Sequence, residues 1–413
     1  MTSGGEVGSS LEIRGVGSAR MSETTGPMIP GGILFTTGDV AYEFIRHLGQ
    51  GPHGERVFLA RPRHPRTVGG WVVVKRLSRL DDRKALQRLE EEVRLASRLN
   101  HPNIARVHGL HAHRNTLHAV SEYVEGDSLR EASSYPVMRG RFVSEAFALY
   151  VGAEVAAALH HAHTATDEEG RALAIVHRDI NPERIRLSTQ GGVKLTDFGL
   201  ATSRLAGRVA SSLPSVKGEV FFASPEQLLR RPVDHRSDLF ALGLVLLELL
   251  TGQHLFWLTD VDLRELGTEM AALSPESMEL LREAVQQQVE RRGSESMTMQ
   301  WEAQLALRAR SFGPEDVEQA AHDVPAPTRT LLHRLLRNDP DERFQTGAEL
   351  GAALKARLAE LGQRYGAKEA AEEVLLAKAE SRGIVLDTHE QYVGVQPGTV
   401  PMRNENGSTT SEA

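Results

Sequence analysis

The 413-residue chain contains no cysteine, which excludes disulfide bridges, thiolate nucleophiles and Cys-ligated zinc or iron–sulfur sites, and fits a reducing compartment. It also lacks an excess of positive charge. Lys and Arg number 48 against 55 Asp and Glu, a net charge of −7, so nucleic acid is not an expected partner. Long hydrophobic runs are missing as well. The longest, over 239–247, stops at Glu248, far short of the ~20 apolar residues a membrane-spanning helix needs. The opening MTSGGEVGSS has neither a basic start nor an apolar stretch, so no secretory leader is expected. Together these absences predict a soluble, cytoplasmic protein without membrane contact. What remains is 40% hydrophobic and 25% charged, enough for a buried core spread over two or three structural units.

Residues 1–38 are rich in Gly, Ser and Thr without periodicity and read as a disordered tail. From Val40 the texture changes. YEFIRHL and RVFLARP alternate around a glycine-rich turn and WVVVK follows, which predicts three antiparallel strands. Asp81-Asp82 then cap a predicted helix that carries Leu86, Leu89, Val93, Ala96 and Leu99 at helical spacing. ARVHGLHAH and TLHAVSEYV supply two more strands. After Gly126 the pattern turns helical, and SDLFALGLVLLELLTG, apolar nearly all round, predicts a buried helix. A strand-rich front and a helical back indicate an α+β arrangement of two lobes. The segment from about 257 to 325 reads as a charged helical insertion. Beyond 359 one more helix precedes a disordered tail. His160, His161 and His163 fall near a helix C-terminus, where the dipole favours them, and no HExxH pattern accompanies them.

Several residues carry chemistry. Gly49, Gly51 and Gly54 form G-x-G-x-x-G, although three fixed glycines at a frequency of about 0.09 arise by chance about 0.3 times in such a chain, so the turn alone is weak. It lies between two strands, which argues against a dinucleotide fold and fits a hairpin flap over phosphates. Lys75 ends the VVVK strand. Seventeen residues on, Glu92 has apolar neighbours at helical spacing and is expected to face inward more than Glu91. An inward carboxylate needs a cation, and Lys75 is the natural candidate. His177-Arg178-Asp179 and Asp197-Phe198-Gly199 follow, each beside a short strand. Ser224-Pro225-Glu226, Asp238 and Arg343 complete an ordered set.

With HPNI and SEYVEGDSL, this set resembles the eukaryotic-like bacterial Ser/Thr protein kinases, of a myxobacterial flavour. The resemblance implies a bilobal α+β protein-kinase fold over 39–358. It would have an antiparallel N-lobe with one helix (39–121), a hinge (122–126) and a mostly helical C-lobe (127–358). It also implies ATP and Mg²⁺ as cofactors, and phosphoryl transfer achieved by positioning and charge neutralisation. Lys75, directed by Glu92, would hold the α- and β-phosphates, Asp197 would bind Mg²⁺, and Asp179 would orient or accept the hydroxyl proton. Gly49, Gly51 and Gly54 would cover the phosphates. Val57, Val73 and Arg186 would line the adenine slot, and backbone groups of Glu122 and Val124 would bind its edge. Thr202, Ser203, Ser211, Ser212 and Ser215 are candidate phosphate acceptors, with Arg178 as their partner. Protein substrates or regulatory proteins, and self-association for autophosphorylation, are the implied partners.

The sequence departs from the family pattern. Arg184 stands where an Asn holds a second Mg²⁺, and an Arg cannot ligate a cation. Asn181 replaces the usual Lys, and Glu219 the usual Thr. Val73 replaces Ala and narrows the ceiling. Arg186 replaces the floor Leu, where it either disrupts the slot or stacks on the base. Ser121 is a small gatekeeper. Two functions are compatible with this pattern. One is a protein kinase with impaired or one-metal catalysis, and the other is a pseudokinase acting as a regulatory scaffold.

Overall fold

β-branched and aromatic runs build six strands that pair into one antiparallel sheet. They are β1 (Ile33–Thr37), β2 (Val40–Gln50), β3 (Arg56–Arg63), β4 (Val72–Leu77), β5 (Val107–His113) and β6 (Thr116–Glu122), in spatial order β1-β2-β3-β4-β6-β5. The computed structural model describes residues 30–51, 55–77, 83–114, 116–199, 201, 219–256, 305–306 and 308–385. Period-two alternation divides β4 between two faces. Val72 and Val74 join Tyr42, Phe44, Phe58 and Ala60 in one apolar layer. Val73 and Lys75 point the other way, into the cleft.

The tail expected to reach residue 38 is shorter, because residues 33–37 are β1. Leu34 and Phe35 are both buried, with a register shift between Ile33 and Phe35. The Phe35 ring stacks on Tyr42 at 4.4 Å and on His118 at 4.1 Å. The strand exists because it covers an apolar sheet face. α1 (Arg83–Ala96) packs on the opposite side of the sheet through Ala85, Leu89 and Val93, against Leu77, Leu117 and Ala119. Its proposed cap, Asp81-Asp82, lies outside the described residues.

A second, three-stranded antiparallel sheet holds β7 (Gly126–Ser128), β8 (Ile185–Ser188) and β9 (Val193–Leu195). The helices that follow are α2 (Leu129–Val137), α3 (Glu145–Thr164), α4 (Pro225–Leu228), α5 (Arg236–Thr251), α6 (Pro314–Ala320), α7 (Ala326–Leu335), α8 (Gly347–Glu360) and α9 (Ala367–Val385). α2 starts on a capping box, in which Ser128 Oγ accepts from Glu131 N–H and the Glu131 carboxylate accepts from Ser128 N–H. α5 is buried nearly all round, as its sequence predicts.

Two boundaries move. The insertion expected over 257–325 is replaced by C-lobe core from 305 onward: Leu305, Ala309, Phe312, Val317, Ala321 and Val324 are all buried in it. Their apolar spacing is masked by charged residues on the solvent side. Residues 257–304 lie outside the described residues. The domain does not stop at 358 either. α8 continues to Glu360, and α9 places Ala370 and Val374 in the same core. Residues 386–413 are not described.

Candidate active site

The β4 register turns Lys75 into the cleft, where its Nζ lies 2.6 Å from Glu92 Oε1 and 2.9 Å from Asp197 Oδ1. Burial alone would favour neutral lysine, but Asp197 and then Glu92 outweigh it and hold the ammonium well above its usual range. Burial likewise pushes the Glu92 carboxyl up, opposed by Lys75. Asp197 moves the other way. Burial would raise it, yet Lys75 and Arg184 hold it well below the usual carboxylate range. By exposure the expected order of the two glutamates is reversed: Glu91 is buried, where it accepts from Gln87 Nε2 at 3.2 Å, and Glu92 is only partly buried. Glu92 nevertheless is the residue that meets Lys75.

Asp179 comes from a segment pinned by the buried Asp238 at the start of α5. Asp238 accepts the N–H groups of His177 and Arg178, both at 2.8 Å, and pairs with His163 Nε2 at 2.8 Å. Those bonds hold Arg178 at φ +67°, a left-handed conformation that costs a non-glycine residue about 1–3 kcal/mol. His163 therefore serves this anchor, a role that the histidine pattern in the sequence does not reveal. His177 donates from Nε2 to Thr196 O (3.1 Å) and accepts Asp179 N–H on Nδ1 (3.2 Å), which joins the two loops. Its ring meets Phe198 edge-on at 4.6 Å.

The Asp179 carboxylate is held at both oxygens. Asn181 Nδ2 donates to Oδ1 at 2.9 Å, and Arg184 Nε donates to Oδ2 at 2.7 Å. Arg184 Nη1 also lies 2.9 Å from Asp197 Oδ2. The main-chain oxygen of Arg184 accepts Thr196 N–H at 2.8 Å and Thr196 Oγ1–H at 3.0 Å, fixing Arg184 to the loop that carries Asp197. Lys75, Asp197, Arg184 and Asp179 thus form one chain of alternating charge. Gly199 donates its N–H to Asp197 Oδ1 at 3.2 Å. A Cβ there would stand 3.0 Å from that oxygen and 3.1 Å from Glu92 Oε2, so the position accommodates glycine.

The other expected residues line the approach. Gly49 has φ +141° and pairs with Val57, which sits opposite Lys75 on β4. A Cβ on Gly51 would come 2.4 Å from the carboxylate of Glu55, a buried residue. The sequence reading overlooks Glu55, although a carboxylate next to the last motif glycine is a visible signal. Gly54 lies outside the described residues. Val73 pairs with Ser121. Glu122 N–H donates to Arg106 O at 2.7 Å, its carboxylate pairs with Lys194 at 3.0 Å, and Val124 is buried. Arg186 Nη2 donates to Gly126 O at 2.6 Å, and its Nη1 lies 3.7 Å from Glu131. Thr202, Ser203, Ser211, Ser212 and Ser215 are outside the described residues, as is the Glu219 side chain.

A protein-family model described as protein kinase domain matches residues 42–352. The chain is 35% identical over 214 residues to tyrosine-protein kinase MasK of Myxococcus xanthus, covering 51% of this chain and 32% of that protein. It is 36% identical over 182 residues to serine/threonine-protein kinase PrkC of Bacillus subtilis, covering 44% and 26%. The chain therefore spans about a third or less of the length of these two relatives. Among solved structures, the Mycobacterium tuberculosis PknI kinase domain is 22% identical with a TM-score of 0.49, covering 80% of this chain and all of that one.

Proposed function

The chain belongs to the protein kinase family, and on that premise we propose that it transfers the γ-phosphate of ATP to serine or threonine hydroxyls of proteins. The observation that carries this is the charge chain Lys75–Asp197–Arg184–Asp179, which links the strand lysine to both loop aspartates. Lys75 supplies positive charge for the α- and β-phosphates. The acceptor hydroxyl oxygen forms a bond to the γ-phosphorus while the bond from phosphorus to the β–γ bridging oxygen breaks, and ADP leaves with that electron pair. The hydroxyl proton passes to a remaining lone pair of the Asp179 carboxylate, which Asn181 and Arg184 hold in one orientation.

Among the described residues no cluster of three or more His, Asp or Glu side chains is arranged to hold an ion unaided. Asp197 is the carboxylate that would hold a single Mg²⁺, in exchange for one of its present cation contacts, Lys75 at Oδ1 or Arg184 at Oδ2, and the ion would neutralise phosphate charge. A second ion does not fit: Arg184 occupies the ligand position and its guanidinium lies between the two aspartates.

The same guanidinium supports a second reading, a pseudokinase scaffold, because both oxygens of Asp179 already hold donors. Radiolabelled ATP transfer by wild type beside Asp179→Asn separates the two. The enzyme reading expects a loss of about 10²–10⁴-fold in the variant, and equal incorporation in both proteins defeats it. Arg184→Asn then ranks the arginine. A gain in transfer marks it as an impairment, a loss as a working cation. Protein substrates and self-association for autophosphorylation belong to this proposal. No described helix is long and apolar enough to cross a membrane.

A further inference from the structure

Residues 122–126 join the six-stranded sheet to the three-stranded one, so the placement of β7 sets where this connection ends. On its inner side β7 is fixed by β8. Gly126, Asp127 and Ser128 pair with Ser188, Leu187 and Arg186, and Thr189 N–H donates to Glu125 O at 2.8 Å. Gly126 has φ +152°, and a Cβ there would lie 2.0 Å from Leu187 O, so the crossing is too tight for a side chain.

The outer side is gripped by α9. Lys378 Nζ reaches both oxygens of Asp127, at 2.7 and 2.8 Å, and stands 5.3 Å over the Tyr135 ring of α2. Eleven residues earlier, about 16 Å along the helix, Ala367 lies against the β8–β9 turn. A Cβ on Gly191 would be 1.7 Å from Ala367 O. α9 therefore touches the small sheet at two places, the turn beside β9 and the strand after the connection. Other bonds attach α9 to the loop before α3. Glu373 accepts Ser144 N–H at 2.8 Å and Ser144 Oγ–H at 2.7 Å, while Arg139 Nη2 donates to Glu380 O at 2.8 Å and Arg141 pairs with the Glu380 carboxylate.

We propose that α9 sets the position of the hinge connection and the adenine floor, with Lys378 as a positioning residue that acts through Asp127. This rests on the kinase reading for the identity of the ligand but not for the mechanical coupling. Helix α9 is attached at two sites, so a change in α9 reaches the floor strand that carries Arg186. The C-terminal helix is then a regulatory input to the nucleotide site rather than a passive appendage.

The test uses the full chain with Lys378→Met, Asp127→Asn, the double variant and the charge swap Lys378→Asp/Asp127→Lys. Arg141→Ala is the control, since it loosens α9 from the α2–α3 loop and not from β7. Two quantities are read: Kd for a fluorescent ATP analogue with Mg²⁺, and amide hydrogen exchange of the peptide covering 119–128. Each single variant is expected to weaken analogue binding and speed hinge exchange by about two- to fivefold, the range of a partly exposed ion pair. The double variant is expected to be no worse than either single, the swap to recover, and Arg141→Ala to leave both readouts unchanged. Unchanged hinge exchange in Lys378→Met and Asp127→Asn overturns the proposal, whatever happens to the melting temperature. If wild type binds no analogue, the kinase reading fails and hinge exchange alone still decides the coupling.

Discussion

Arg184 Nε stands 2.7 Å from Asp179 Oδ2, and the same guanidinium reaches Asp197 with Nη1 at 2.9 Å. Two carboxylates that repel each other are thereby joined by a cation that does not deprotonate in proteins. Arg184→Ala leaves them facing across the cleft. The expected cost is about 1–3 kcal/mol of stability without ligand, held to that range because the Arg184 side chain is 19% exposed. A divalent ion can replace the lost charge. Mg²⁺ alone is therefore expected to raise the melting temperature of Arg184→Ala more than that of wild type. Equal Mg²⁺ responses in differential scanning fluorimetry contradict the idea that the guanidinium stands in an ion's place.

Lys75 serves two carboxylates at once, so its removal costs more than one salt bridge. Lys75→Met strands Glu92 and Asp197, both largely buried, and is expected to lose about 2–4 kcal/mol in urea denaturation, somewhat less than a fully buried pair. Nucleotide binding should fall by at least about tenfold, as a charge-assisted contact to phosphate is lost. Lys75→Arg keeps the charge, but its planar fork cannot occupy the same point between Glu92 Oε1 and Asp197 Oδ1. It is expected to rescue stability better than binding. Full recovery of both by arginine is the outcome that argues against a point-charge role.

Lys75, Glu92, Asp179 and Asp197 are readable because each belongs to a local pattern: a β-branched strand, a helix face, and two short loops beside strands, although the strand does not end at Lys75 as expected but runs on to Leu77. β1 was hidden for the opposite reason. ILFTT is five residues inside a Gly/Ser-rich stretch, and its burial makes sense only once Phe35 has Tyr42 and His118 to stack on. The contact of α9 was equally invisible, since Lys378 and Asp127 are 251 residues apart and no periodicity links them. Arg186 shows a third limit. Stacking on a base or blocking the slot were the two roles its position implied. The side chain instead is bonded to Gly126 O, a backbone acceptor that sequence cannot point to.

His118 predicts an acid limb to the stability curve. It is fully buried, stacked on Phe35, and its Nδ1 has no hydrogen-bond partner. Burial first, then the charge of Arg76, pushes it down to about 3. The unfolded chain takes up this proton near pH 6.5 and the folded chain only near pH 3, so stability present above about 6.5 drains away as pH falls between those values. His118→Phe keeps the stacked ring and cannot protonate. Unfolding free energies of wild type minus variant are expected to fall by up to about 1.4 kcal/mol per pH unit between about pH 6 and 4. His254, also held at about 3 by burial, is common to both proteins and cancels. A flat difference across that range refutes the assignment.

Arg343 and Glu226 form a buried, bidentate ion pair, with Nη1–Oε1 at 2.8 Å and Nη2–Oε2 at 2.9 Å. The remaining guanidinium hydrogens go to the main-chain oxygens of Arg337, Asn338 and Arg236, and the group lies 4.7 Å over Phe240. Burial would raise the Glu226 carboxyl, but Arg343 outweighs it and holds it low. Arg343→Met leaves an unpaired buried carboxylate and is expected to cost about 3–5 kcal/mol, read from urea midpoints at unchanged slope. Adding Glu226→Gln should recover part of that loss, because the stranded charge is then gone. The pair also reaches the active site. α4 carries Gln227 next to Glu226, and Gln227 Nε2 donates to Arg178 O at 3.0 Å, helping hold the left-handed Arg178 that precedes Asp179. Phosphoryl transfer in Arg343→Met should therefore drop at temperatures where the variant is still folded. Activity that tracks only the folded fraction limits this ion pair to a stabilising role.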